Sequence, residues 1–370
     1  MKLCFIAAGG SIHSYRWIKY FVERGHQVHW ISLSSAMRTE FSEILNYENL
    51  KFYSTPILSN KIWQFFKNIF FVRKTVKKIQ PDILHAHCAG VDGFAGAMTN
   101  FHPFLLTPWG SDILISTKSK ILKPLIKFAL NKADLITCDA EHMKKVITEL
   151  GINPSKIKII YFGVDTEKFI PGLKDESLIQ KLKIQNCPVI ISLRNFKPIY
   201  SVETLIKAIP LVLKEIPEAK FIIAGNGSEE EKLKNLVRDL KIGENVNFIG
   251  FISNDDLPRY LRTVDIYVST SLSDSTSVSL LEAMSCGLTP VVTEVGENKL
   301  ILKNGRYGFL VPPKNSKILA EKIIYLLLKN EKVKNKMGKI GRKIIEEKYN
   351  YYKEMDKIEN IYKSLIKTKL

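Results

Sequence analysis

The feature that most constrains this chain is an alternation running almost from end to end, in which short apolar runs are each followed by an amphipathic helical pattern. Two neighbouring parallel strands can be joined only by a crossover, usually a helix, so such alternation marks βα units laid around parallel sheets. LCFIAA (3–8) reads as the first strand and ends at Gly9-Gly10-Ser11. A helix with Trp17, Ile18, Phe21 and Val22 on one face follows, Gly25 stops it, and QVHWISL (27–33) is the next strand. Strand, glycine turn, helix and strand form the opening of a nucleotide-binding fold.

DILHAH (82–87), FLLTP (104–108), DLITCD (134–139) and KIKIIY (156–161) continue the pattern. Beyond Pro171-Gly172 a polar, lysine-rich stretch runs to Gln185, and PVIISL (188–193) then starts afresh. The second half reads as a helix at 202–215, AKFIIAG, a helix at 228–241, VNFIGF, DIYVST, a helix at about 277–285, and PVVT. The restart predicts two α/β domains, 1–165 and 187–349, joined by a linker at 166–186, and the length of 370 residues gives each a full core. The segment 350–370 carries Tyr351, Met355, Ile358, Tyr362 and Ile366 at helical spacing and is expected to pack back on the first domain.

With 45% hydrophobic and 25% charged residues, the composition excludes disordered, collagen-like and small disulfide-framework chains. The balance of 55 Lys+Arg against 37 Asp+Glu leaves +18, which favours an anionic partner: nucleic acid, an acidic membrane or a phosphorylated substrate. The lysines are spread from end to end, so a solvated basic surface accounts for the same charge. Nucleic acid is not expected, because no helix-turn-helix, zinc or RNP-like motif is present. Five scattered cysteines without a C-x-x-C pair or a zinc spacing point to a reducing compartment and to no metal. MKLCFIAAGG does not read as a signal peptide, and no uncharged run approaches the ~20 residues of a membrane span. The expectation is a cytoplasmic chain, with any membrane contact peripheral. Two basic amphipathic segments suit such contact: KIWQFFKNIFFVRKTVKKIQ (61–80) and KSKILKPLIKFALNK (118–132) would lie on an anionic bilayer or pack on a sheet.

The chemistry concentrates in SLSDSTSVSLLEAMSCGLTPVV (271–292), which reads as strand end, polar loop, helix, glycine stop and strand. Ser275, Thr276, Ser277 and Val278 precede or open the helix, where hydroxyls cap and backbone amides at the positive terminus can seat a phosphate. Asp274 lies in the loop and Glu282 about two turns on, so one carboxylate can face a reacting end while the other reaches a hydroxyl pair. A capping aspartate and a solvated glutamate would give the same letters. Arg194, ending PVIISL, and Lys197 stand at the carboxyl edge of a parallel strand, where they would neutralise a diphosphate or simply face solvent. Gly9-Gly10-Ser11 and Gly225-Asn226-Gly227-Ser228 allow close backbone approach, either to a phosphate or for steric closure. Glu230 occupies the place of the third glycine in a dinucleotide fingerprint, which argues against a Rossmann cofactor. His85 and His87 share a strand face, and Trp109-Gly110-Ser111-Asp112 follows the next strand. No further ligands complete a metal site.

The segment 271–292 closely resembles the nucleotide-sugar-dependent glycosyltransferases of family 4, whose E-x7-E motif would run here from Asp274 to Glu282. GSIHSYRWIKYFVERGHQV (10–28), PDILHAH (81–87), TPWGSDIL (107–114), GVDTEKF (163–169) and VNFIGF (246–251) resemble the family in the expected order. The resemblance implies the GT-B architecture, in which two Rossmann-like, doubly wound parallel-sheet domains face an interdomain cleft. By it, Arg194 and Lys197 would hold the diphosphate, Asp274 would contact the sugar near the reacting carbon, and Glu282 would bind the ribose hydroxyls. Gly10, Gly227 and residues Ser275 to Val278 would line the donor, with Phe251 and Ile252 beside the base. His13, His87, Trp109 and Asp112 would face the acceptor.

It further implies transfer with retention, the leaving phosphate receiving the acceptor's proton, and needs neither cofactor nor metal. The donor is expected to be a nucleotide-sugar, with a UDP-sugar favoured. The acceptor is expected to be lipid-linked or an oligosaccharide of cell-surface polysaccharide synthesis. Three positions depart from the family: Asp274 is one methylene shorter than Glu, Ile199-Tyr200 replaces the usual K-G, and Trp109 stands where many members have His. Two other readings remain open, a nucleotide-sugar epimerase or hydrolase of the same fold and a basic nucleic-acid-binding module.

Overall fold

The computed structural model describes residues 1–33, 37, 39–55, 59–303, 305–329 and 331–369, so residue 370 of the C-terminal segment lies outside the described residues. The chain divides into two compact units: Met1–Phe162 with Lys353–Leu370, and Gly163–Tyr352.

The first unit is built on seven strands, β1 (Lys2–Ile6), β2 (Gln27–Ser32), β3 (Leu50–Ser54), β4 (Ile83–His87), β5 (Phe104–Thr107), β6 (Leu135–Cys138) and β7 (Ile157–Ile159). They lie in the order β3-β2-β1-β4-β5-β6-β7, all parallel. The second unit has β8 (Val189–Leu193), β9 (Lys220–Ala224), β10 (Val246–Gly250), β11 (Ile266–Ser269), β12 (Thr289–Thr293) and β13 (Phe309–Val311) in the order β10-β9-β8-β11-β12-β13, again all parallel. Each sheet therefore reverses its winding once, between β1 and β4 in the first unit and between β8 and β11 in the second. At such a switch point the connections leave in opposite directions, opening a crevice beyond the carboxyl ends of the two strands. Central strands covered by helices on both faces need continuous apolar runs. β4 is buried along its whole length and β8 along all but its last residue.

The segment 166–186 is not the linker that its composition suggests; it belongs to the second unit. Asp175 accepts the Leu178 amide at 3.0 Å to cap a helix at Glu176–Leu182, and it holds Arg259 Nε at 2.7 Å. Lys174 reaches Asp265 at 3.0 Å. The polar residues are paired across a folded surface, which composition alone cannot distinguish from a solvated tether.

The C-terminal helix spans Tyr351–Lys369, and from Lys353 onward it belongs to the first unit. Met355, Ile358 and Tyr362 are buried along one stripe. Glu354 accepts the Tyr161 amide at 3.0 Å, Asp356 accepts the Tyr20 hydroxyl at 2.6 Å, and Glu359 pairs with Arg24 at 2.9 Å.

The helix Lys61–Ile79, capped by Asn60, uses its two faces differently. Val72, Val76 and Ile79 join the core, while Ile62, Trp63, Phe66 and Phe70 face outward, Trp63 being 68% and Phe70 70% exposed. Phe65 stacks on Phe94 at 5.4 Å, and Phe94 meets Phe128 at 5.4 Å, joining this helix to the helix Leu122–Lys132. The second helix likewise buries Ile126, Ala129 and Leu130 and exposes Leu122 and Phe128, with Ile121 exposed just before it. Among the described residues, no helix is long and apolar enough to cross a membrane.

Candidate active site

In the second unit the switch point is organised by Arg194, the residue that follows β8. Its Nε donates to Ser269 Oγ at 2.9 Å, at the end of β11, and Nη2 donates to Ser277 Oγ at 2.6 Å and to the Asp274 carboxylate. The guanidinium also lies over the Tyr200 ring at 5.3 Å, so one of the two residues replacing the K-G pair supports the arginine through its π face. Burial opposes the charged guanidinium, but Asp274 beside it more than offsets this, and its pKa is raised above the ordinary arginine value. Lys197 is exposed and heads the turn Pro198–Tyr200 without joining these contacts.

The loop carrying Arg194 is fixed by the glycine turn after β9. A Cβ on Gly225 would collide with Arg194 O, and one on Gly227 would stand 2.5 Å from Phe196 O, with φ at +146° and +153°. Phe196 N donates to Asn226 O at 2.8 Å, and Glu229 N to Phe196 O at 2.9 Å. Both glycines are thus accounted for by close backbone packing, the steric alternative.

The helix Val278–Ser285 begins where expected, with the Ser277 hydroxyl accepting the Leu280 amide at 3.4 Å. Ser275 and Thr276 are buried, and the Ser275 amide is engaged by Asp274 Oδ1 at 3.1 Å. Gly296 packs against this loop so closely that a Cβ would stand in contact with Asp274 O. Glu282, only 6% exposed, accepts the Asn254 side-chain amide at 3.4 Å. Phe251 is exposed and Ile252 half-buried just past β10. Asn254 was not singled out in the sequence, because its partner Glu282 lies far along the chain.

The first unit's switch point has another character. Past β1, Gly9 N donates to Ser32 Oγ at 3.0 Å, and half-buried Gly10 precedes Ser11, the cap of the helix Ile12–Glu23. His13 stacks on Phe162 at 5.0 Å and meets Trp109 edge-on at 5.3 Å. His87, 1% exposed, is enclosed by Phe5, Trp17, His85 and Trp109, and neither of its ring nitrogens has a hydrogen-bond partner among the described residues. Burial, with Arg16 adding to it, lowers the His13 pKa to about 4, and burial with His13 nearby lowers that of His87 to about 3. Both rings are neutral at pH 7.

Asp112 has its carboxylate occupied by the backbone, accepting Ala89 N at 2.6 Å and Trp109 N at 2.9 Å. It ties the loop after β4 to the loop after β5 rather than facing outward. His85 is interior as well, bonded through Nδ1 to Tyr362 Oη at 2.5 Å and through Nε2 to Thr107 Oγ1 at 2.6 Å. Phe162, which completes the stack, lies in no motif that the sequence reading used. No group of three or more His, Cys, Asp or Glu residues suited to a metal ion occurs among the described residues.

With this geometry in hand, two family models match: "Glycosyl transferase 4-like" over residues 2–140 and "Glycosyl transferases group 1" over 174–344. The chain is 25% identical over 98% of its length to the N-acetyl-alpha-D-glucosaminyl L-malate synthase of Bacillus anthracis, covering 96% of that protein. It is 28% identical over 82% of its length to the UDP-Gal:alpha-D-GlcNAc-diphosphoundecaprenol alpha-1,3-galactosyltransferase of Escherichia coli, covering 80% of that protein. Among solved structures, Anabaena Alr3699/HepE in complex with UDP and glucose superposes with a TM-score of 0.82 at 20% identity, over 99% of this chain and 100% of that one.

Proposed function

The chain belongs to the GT-B glycosyltransferases of family 4, and on that premise we propose that it is a retaining transferase moving a sugar from a UDP-sugar to a hydroxyl of a lipid-linked or oligosaccharide acceptor. The observation that carries the donor half is the half-buried guanidinium of Arg194, held by Ser269, Asp274 and Ser277 beyond the carboxyl ends of β8 and β11. A cation held in a partly dry site stabilises charge that develops on a departing diphosphate far better than one in water. In this reading Arg194 faces the diphosphate, the start of the helix Val278–Ser285 adds its amides, Asp274 turns to the sugar, and Glu282 takes the ribose hydroxyls. Lys197 contributes from the exposed edge, and Phe251 and Ile252 flank the base.

The acceptor hydroxyl attacks the anomeric carbon on the face the diphosphate leaves, and its proton passes to the departing phosphate oxygen. The C–O bond that forms replaces the one that breaks, so the configuration is kept. Because Arg194 supplies the cation, activity persists in the presence of a chelator. The Escherichia coli relative's name couples UDP-Gal with a diphosphoundecaprenol acceptor, which supports the same pairing of donor and lipid-linked acceptor here. The exposed aromatic and basic faces of 61–80 and 118–132 suit a peripheral seat on the inner face of a cytoplasmic membrane, where such an acceptor resides.

The test is incubation of the full chain with UDP-sugars, with and without lipid-linked and oligosaccharide acceptors, reading nucleotide release and the anomeric configuration of the product. Acceptor-dependent release with a retained anomer is expected. An inverted product overturns retention, and turnover without an acceptor turns the reading to an epimerase or hydrolase.

A further inference from the structure

The motif GVDTEKF (163–169) plays no part in the chemistry described above, yet it is built with care. Asp165 Oδ1 accepts the amides of Glu167 and Lys168, each at 3.0 Å, and Asp165 O accepts Phe169 N at 2.9 Å, which closes the segment into a tight turn. The turn is clamped to the helix Val278–Ser285 from its far end. Ser285 Oγ donates to Phe169 O at 2.6 Å, while Arg342 donates to Phe169 O at 3.0 Å, to Ser285 O at 2.5 Å and to Thr166 O at 3.3 Å. Lys168 then projects from the turn and donates to Asn254 Oδ1 at 2.9 Å and to Asp255 Oδ1 at 2.5 Å. Asn254 in turn presents Nδ2 to Glu282 Oε1 at 3.4 Å.

We propose that Lys168 and Asn254 form a brace that sets the Glu282 carboxylate, making Asn254 a positioning residue for the nucleotide's ribose; the proposal rests on the reading of Glu282 given above. The direction of the chain follows from donor chemistry. An ammonium has three donors and no acceptor, so it fixes which end of the Asn254 amide faces it. The carbonyl oxygen is taken by Lys168, and the NH₂ end is left for Glu282. A carboxylate receiving a donor from a side chain that cannot flip is held in one orientation, the condition for a hydrogen-bonding site that discriminates between ligands with and without a hydroxyl. The Asp165 turn and the Arg342 clamp give this brace a fixed footing on the same helix that carries Glu282.

The experiment compares the affinity of the full chain for UDP, GDP and ADP with that for their 2′,3′-dideoxy counterparts, by calorimetry, together with that for inorganic pyrophosphate. Hydrogen bonds to a charged group differ from none by about tenfold or more in affinity, and the wild type is expected to prefer the ribose form of its best nucleotide by that factor. Asn254→Ala lowers the preference to about threefold or less, towards the value of Glu282→Ala, with pyrophosphate affinity unchanged. Lys168→Met, which frees the Asn254 amide to turn, falls between the two. An Asn254→Ala chain that keeps the full preference overturns the brace, and so does one that loses pyrophosphate affinity in parallel, which marks a general loss of structure. A wild type that does not distinguish the two nucleotide forms overturns the ribose role of Glu282 itself.

Discussion

The two units wind their sheets in the same way and reverse at the same topological place, but they fill the resulting crevices with opposite chemistry. In the second unit the crevice is wired by charge: Arg194 and Asp274 pair, with three hydroxyl and carboxylate groups on one guanidinium. In the first unit it is packed with rings, where His13, His87, Trp109 and Phe162 touch one another and the histidines are neutral. All seven histidines (13, 26, 29, 85, 87, 102, 142) and all four tryptophans (17, 30, 63, 109) lie in the first unit. Topology fixes where a ligand meets each unit, and the side chains decide what kind it is. Charge suits a diphosphate, and uncharged rings suit the apolar faces of an acceptor.

Breaking the charged crevice should have the largest effect. Arg194→Ala removes the cation and leaves Asp274, already largely enclosed, without its partner. A lost preorganised contact to developing charge costs about 10²- to 10³-fold in kcat, and that loss is expected in nucleotide release. Arg194→Lys should recover little, because an ammonium cannot serve Ser269, Asp274 and Ser277 from one planar fork. Full activity in either variant would sever the charged crevice from the chemistry.

The contrast extends to the outer surface of the first unit. Residues 61–80 hold six Lys or Arg and no acid, and 118–132 hold five Lys and no acid. The aromatic bridge through Phe94 makes the two helices neighbours. Each basic residue near an anionic surface contributes about 1 kcal/mol, so Arg73→Gln, Lys74→Gln and Lys77→Gln together should weaken binding to phosphatidylglycerol-containing vesicles by about 100-fold. Trp63, mostly exposed, should show a blue-shifted emission on the vesicles. Equal binding to neutral phosphatidylcholine vesicles would remove the electrostatic part of the argument.

Acid should separate the two units. Folded His13 and His87 titrate near 4 and near 3, and His85 well below its ordinary value, whereas unfolded histidine titrates near 6.5. Between those limits the unfolded chain binds protons that the folded one refuses, so their stabilisation is complete above about pH 6.5 and drains away as the pH falls. Asp92, pushed up to about 7 by burial and by Asp112, and Asp112, raised by burial, work in the opposite sense. His26 and His29 are lowered by burial as well, so the histidines outnumber the two aspartates and the first unit loses stability as the pH falls below about 6.5. In the second unit Glu203, held down to about 2 by Lys207 and Lys232, loses its contribution only below the ordinary carboxylate range. Tryptophan fluorescence reports the first unit alone, so its denaturation midpoint should fall across this pH window. A midpoint that stays level would show that the ring cluster is not held neutral by folding.

Much of this was legible in the sequence, and the exceptions share a cause. The strands of the two sheet centres were found within a residue or two, because continuous apolar runs between glycines and helical patterns have few other readings. β3 and β13 were not anticipated: β3 is an edge strand with Lys51 exposed, and β13 has only three residues. Arg194 and Asp274 meet in the fold from places that the sequence marks, the end of a strand and the loop before a helix. Tyr200 entered only as a departure from the K-G pair; Asn254 and Phe162 were not singled out, and His85 was grouped with His87 although, among the described residues, only His85 is hydrogen-bonded through its ring. Their roles depend on partners brought close only by the fold; Tyr362 meets His85 from 277 positions away.

That last contact provides the smallest and cleanest test of the comparison. Tyr362→Phe removes the hydroxyl bonded to His85 Nδ1 and leaves the ring nitrogen buried without its partner, while Nε2 keeps Thr107. A buried polar group left unpaired costs about 1–3 kcal/mol, which in a unit of this size lowers the fluorescence-detected Tm by several degrees. Nucleotide binding should not change, since nothing in the charged crevice is touched. The pH dependence of the stability, as distinct from its level, should be unchanged, because burial is the largest cause of the depressed His85 pKa and the phenylalanine ring maintains that burial. If the variant instead loses less stability than the wild type as the pH falls below about 6.5, its folded His85 takes up a proton more readily, and the tyrosine hydroxyl rather than the apolar surroundings holds the histidine neutral. The ring-packed crevice would then depend on a hydrogen bond from the C-terminal helix, as the charged one depends on its ion pair.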